Sequence, residues 1–96
     1  MLKELEKMSI IDRVTKMESY LDSIRAAFDD APMSVYENHE INEMLNVLIE
    51  YYESGLWLAD YTRDENGELP VDLKRGVLSE DAVYNLLCDI ENYDVD

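Results

Sequence analysis

The stretch "IIDRVTKMESYLDSIRAAFDD", residues 10 to 30, decides the fold class. Ile10, Val14, Met17, Leu21, Ile24 and Phe28 recur in alternating steps of four and three, the spacing of an amphipathic helix with one buried face. Ser9 is placed to cap its N-terminus, with Asp12 three residues on as a capping-box variant. "DDAP", Asp29 to Pro32, ends it, because the residue before a proline is driven out of the helical region. At about 100° per residue, Leu2, Leu5 and Met8 fall well off the stripe, so residues 1–8 read as a separate turn or a frayed extension.

Working outward, Ser34 and Glu37 form a second capping box. Ile41, Met44, Leu45, Leu48 and Tyr52 then share one face, with Glu37, Glu40, Glu43, Glu50 and Glu53 mostly opposite. This helix is expected to stop at Ser54-Gly55, Gly55 supplying a left-handed residue. "LWLADY", 56–61, is assigned to helix. In "TRDENGELP", 62–70, Asn66-Gly67 is a turn pair; a minimal hairpin fits, and a loop fits better because no alternating apolar strand flanks it. Pro70 and Gly76 then bracket a short helix ending in Lys74 and Arg75, where the last carbonyls attract cations. The final element has Ser79 as N-cap, Glu80 and Asp81 in its first turn, and Val83, Leu86, Leu87 and Ile90 as its buried stripe. Residues 93–96 are expected to fray. The sum is an all-α fold: one domain over residues 1–96, a compact bundle of three main helices (9–29, 34–54 and 79–92) with short helical turns between the last two.

Composition agrees with one folded domain. The chain has 96 residues, 47% of them hydrophobic, with three Gly and two Pro, which is not the make-up of a disordered tail. No stretch approaches the roughly 20 apolar residues of a membrane span, and "MLKELEKMSI" carries acids where a secretory signal needs an apolar core, so the expected location is cytoplasmic. The extreme property is charge: 23 acids against 8 bases, net −15. Residues 37–96 alone carry sixteen acids and three bases. Such a surface repels nucleic acid and anionic membranes and attracts cations or basic proteins.

Motifs for chemistry do not assemble. His39 is the only histidine and lacks a second one at helical spacing, and Cys88 is the only cysteine, with no base beside it in sequence. A calcium loop aligned on Gly67 places Asp64 and Asn66 at ligand positions but Thr62 and Leu73 at the two ends, where carboxylates are required. No glycine-rich phosphate loop, nucleophile elbow or Cys-His set is present. The sequence therefore predicts no enzyme and no cofactor. Tyr51, Tyr52, Trp57, Tyr61 and Tyr84 serve either as core-filling side chains or as an aromatic binding surface.

From Tyr51 onward the chain reads YY-x-SG-x-WL, then a G-x-LP turn, then "DLKRGVLSED" and "YNLL". This pattern resembles a family of small acidic bacterial proteins, domain-of-unknown-function family 4298, and covers somewhat over a third of the chain. No activity accompanies the family, so the resemblance implies no catalytic or binding residues. It implies that the Trp57 segment and the turn at 69–81 pack as one unit.

The residues support an acidic interaction protein that docks on a basic partner surface, with Glu37, Glu40, Glu43, Glu50, Glu53, Trp57, Lys74 and Arg75 as candidate contacts. A narrower alternative is imitation of nucleic acid to block a nucleic-acid-binding enzyme, as phage anti-defence proteins do. Duplex DNA would set about 18 phosphates along a face of about 30 Å, against a net −13 for residues 37–96. A third reading assigns the charge to solubility alone. Neither direct nucleic-acid binding nor membrane binding is expected, and the spacing leaves the oligomeric state open.

Overall fold

A computed structural model describes residues 2–79 and 81–94, with the side chain of residue 94 left aside. Among the described residues every regular element is helical, and turns and one longer loop join them: α1 (Leu2–Lys7), α2 (Ile10–Asp30), α3 (Ser34–Glu37), α4 (His39–Glu53), α5 (Leu56–Glu65), a 3-10 turn (Gly76–Leu78) and α6 (Ala82–Asp94). The first-turn position expected for Glu80 lies outside the described residues, as does the fraying expected at 95–96.

α2 forms where its stripe predicts. Ser9 accepts from the Asp12 amide at 3.1 Å, and the helix closes at Ala31, one residue before Pro32. Val14, Met17, Leu21 and Ile24 are buried, with Ile10 and Phe28 at the margins of the core. Each fully buried side chain of this kind contributes about 1.5–3 kcal/mol, so the stripe outweighs any cap in fixing the helix. Residues 2–7 form a separate helical segment whose Leu5 is fully buried. The fraying alternative therefore does not hold for this segment: off the α2 stripe, Leu5 packs into the same core from another direction.

The helix expected over 34–54 is two helices. Ser34 does not cap the N-terminus; its hydroxyl donates to the Ala27 carbonyl at 3.0 Å, back into α2. The break falls at Asn38, whose extended backbone and side-chain oxygen, accepting from the Ile41 amide at 3.1 Å, start α4 instead. Asn42 ties the two pieces by donating to the Val35 carbonyl at 2.8 Å. α4 ends as expected at Ser54, followed by Gly55 with φ +94°, a conformation that side chains with a Cβ rarely adopt.

α5 extends the expected helix through Glu65, and Asn66-Gly67 turns the chain with φ +76° at Gly67. The segment 66–75 is a loop, with neither a hairpin nor a helix. Only a Leu73 amide to Pro70 carbonyl turn forms where a helix from Pro70 to Arg75 was expected. Arg75 takes over the carbonyl-binding role: it donates to the carbonyls of Leu73 and Pro70 and to Asp64. Ser79 accepts from the Ala82 amide at 3.1 Å, and α6 buries Val83, Leu86 and Ile90. α2 is the central element; α4 lies along it, while α6 packs on α2 and the 3-10 turn.

Candidate protein-docking surface

Polar groups in this protein divide into a buried set and an exposed set, and the buried set explains the geometry of the other. Arg13 lies on the edge of the α2 stripe, and its side chain is 8% exposed. Its guanidinium holds Asp60 of α5 through both carboxylate oxygens, at 2.8 and 2.6 Å, and donates to the carbonyls of Leu5 and Met8, each at 3.0 Å. The Tyr51 hydroxyl of α4 donates to Asp60 Oδ2 at 2.7 Å. Among the described residues no buried side-chain nitrogen or oxygen is left without a partner. One ion pair thereby ties the α1–α2 junction, α4 and α5 together. Its hydrogen bonds to Asp60 hold the Arg13 guanidinium more firmly protonated than usual. Burial pushes the Tyr51 phenol well above its ordinary value, and the bond to Asp60 adds to the shift.

A second buried carboxylate fixes the 3-10 turn. Glu18 accepts from the Val77 amide at 2.7 Å. A Cβ at position 76 would come within 3.1 Å of Glu18 Oε2, so glycine in "DLKRGVLSED" lets the carboxylate reach the backbone. Trp57 reaches the same turn from α5, its indole donating to the Val77 carbonyl at 2.8 Å. The Trp57 ring stacks on Tyr61 at 5.2 Å and meets Tyr52 edge-on at 5.2 Å. Trp57 and the 3-10 turn at Gly76–Leu78 thus form one packed unit.

These contacts sort the candidate residues. Trp57 and Arg75 direct their donors into the fold. Lys74 is exposed and stands 3.7 Å from Asp22. Glu37, Glu40, Glu43, Glu50 and Glu53 are all exposed. At about 100° per residue, Glu43, Glu50 and Glu53 fall within about 80° of one another on the outer side of α4. Of the five, only Glu43 takes part in an ion pair among the described residues, and its partner is His39 at 2.9 Å. Asp89 of α6 turns the other way, to Arg25 at 3.0 Å, so the acids of α4 and α6 do not form one unbroken face.

Glu53 does meet Glu91 of α6 across a groove of about 350 Å³ lined also by Tyr36, Ile49, Leu87 and Ile90. A second groove, of about 520 Å³, runs between α2 and α4 with Tyr20, Met44 and Val47 as its apolar wall and Glu40 and Glu43 beside them. Arg13, Asp60, Tyr51 and Glu18 were not singled out as a set by sequence reasoning, and neither groove was. Among the described residues no group of three His, Cys, Asp or Glu side chains is placed to hold a metal ion, and no helix is long and apolar enough to cross a membrane.

Among the described residues, the fold and its surface define a small all-helical acidic protein with carboxylate-edged grooves. The chain belongs to the family described as domain of unknown function DUF4298, whose family model matches residues 14–94. No curated protein and no solved structure matches the chain.

Proposed function

We propose that the chain is a non-enzymatic interaction protein that docks on a basic surface of a partner protein through the outer side of α4. One observation supports this reading above the others: α4 contains no Lys or Arg, and four of the five glutamates at 37–53 make no ion pair among the described residues. Carboxylates left without local cations project a negative potential into solvent, which speeds encounter with a cationic patch and orients the approach.

The test is capture from a lysate of the cells that express the protein, at low salt, on the immobilised chain and on the variant with Glu43, Glu50 and Glu53 changed to Gln. The same partner bound by the first and lost from the second supports docking through α4. Equal recovery on both columns rules out this side of α4. Release of a nucleic-acid-binding protein by excess duplex DNA would turn the reading toward imitation of nucleic acid.

A further inference from the structure

We propose that the groove between α4 and α6 seats a basic amphipathic helix of the partner. The proposal rests on the acidic docking reading above and narrows it to one groove and one kind of ligand. α4 packs on α2, α3 and α5, and α6 on α2 and the 3-10 turn, more than on each other, and Ile49, Leu87 and Ile90 line the space left between them. A trough lined mainly by apolar side chains, with Asn42 and Asn46 of α4 and Tyr36 of α3 beside them, is the shape that accepts the apolar ridge of a further helix.

The rim chooses the occupant. Glu53 on one wall and Glu91 on the other make no ion pair among the described residues. The groove-lining helices α3, α4 and α6 contain no Lys or Arg at all. An uncharged apolar helix would strip water from both carboxylates and offer them nothing in return. A helix with Lys or Arg flanking its apolar ridge would instead form charge-assisted hydrogen bonds to each wall. A second copy of this chain is disfavoured, because two molecules of net −15 would meet with like charges along the rim. The larger groove beside Tyr20 is a poorer match: Glu43 is already engaged by His39, and Lys16 stands over the Tyr20 ring, so its field is mixed.

The test uses a panel of 18-residue helical peptides with Leu, Ile or Phe at positions i, i+3, i+4 and i+7 and Lys or Arg on both flanks. Scrambled peptides of equal charge serve as controls, and binding is followed by fluorescence anisotropy and amide NMR. The expected result is binding by patterned peptides over scrambled ones, with shifts centred on Ile49, Glu53, Leu87 and Glu91. The exposed pair E53K/E91K should slow association about tenfold, while E40K/E43K, an equal change in charge at the other groove, should alter it less than about twofold. Equal losses in both pairs, or equal binding of scrambled peptides, would overturn the groove while leaving the acidic reading in place. Failure of every basic peptide, scrambled ones included, would overturn both. A dimer in sedimentation that E53K/E91K tightens would overturn the choice of occupant.

Discussion

At the scale of single residues, Arg13 and Asp60 make the strongest prediction. Removing one member of a buried, fully bonded ion pair leaves the other charge stranded, so Arg13→Met should cost about 3–5 kcal/mol, read from urea denaturation. Arg13→Lys should recover only part of this, because an ammonium cannot hold both carboxylate oxygens and two carbonyls in one plane. Tyr51 supplies a pH dependence. Above its ordinary value of 10, the unfolded chain releases the phenolic proton while the folded chain keeps it. The folded state then binds more protons, and stability falls as pH rises beyond about 10. Tyr51→Phe should flatten that alkaline decline in denaturation curves taken on either side of pH 10. Neither residue could be read from sequence in this role. Arg13 sits at the edge of an apolar stripe, where basic side chains ordinarily extend to solvent, and Asp60 is one of 23 acids. What pairs them is a contact between residues 47 apart in the chain.

At the scale of elements, local patterns predict helices well and their joints less well. The stripe of α2, the glycine stop at Gly55 and the Ser79 cap are legible because each depends on neighbours within a turn or two. The break at Asn38 is not, because Ser34 and Asn38 compete as caps and the winner is decided by the Ala27 carbonyl, which draws the Ser34 hydroxyl away. Asn38→Ala should therefore cost about 1 kcal/mol in thermal or urea unfolding, the usual loss for a cap. The loop at 70–75 differs from the helix its sequence predicts for a related reason. Its proline and glycine fit the ends of a helix, but Arg75 binds the carbonyls of Pro70 and Leu73 and stabilises a non-helical path instead.

At the scale of the whole molecule, charge opposes compactness. The chain holds net −15 within principal extents of 41 × 24 × 21 Å, so its carboxylates repel one another across a short distance. Raising sodium chloride from about 10 mM to about 500 mM should raise the melting temperature, because the screening length falls from roughly 30 Å to a few ångströms. The acidity of the surface is plain from composition, but the groove between α4 and α6 is not, since it depends on where α6 lies relative to α4. The Arg13–Asp60–Tyr51 cluster also bears on the order of folding events. Charges gain from mutual contact in a dry interior only after the walls that exclude water are in place. The cluster should therefore close after the rate-limiting barrier, as a latch rather than a nucleus. Arg13→Met would then leave refolding nearly as fast as before and shorten the lifetime of the folded state instead.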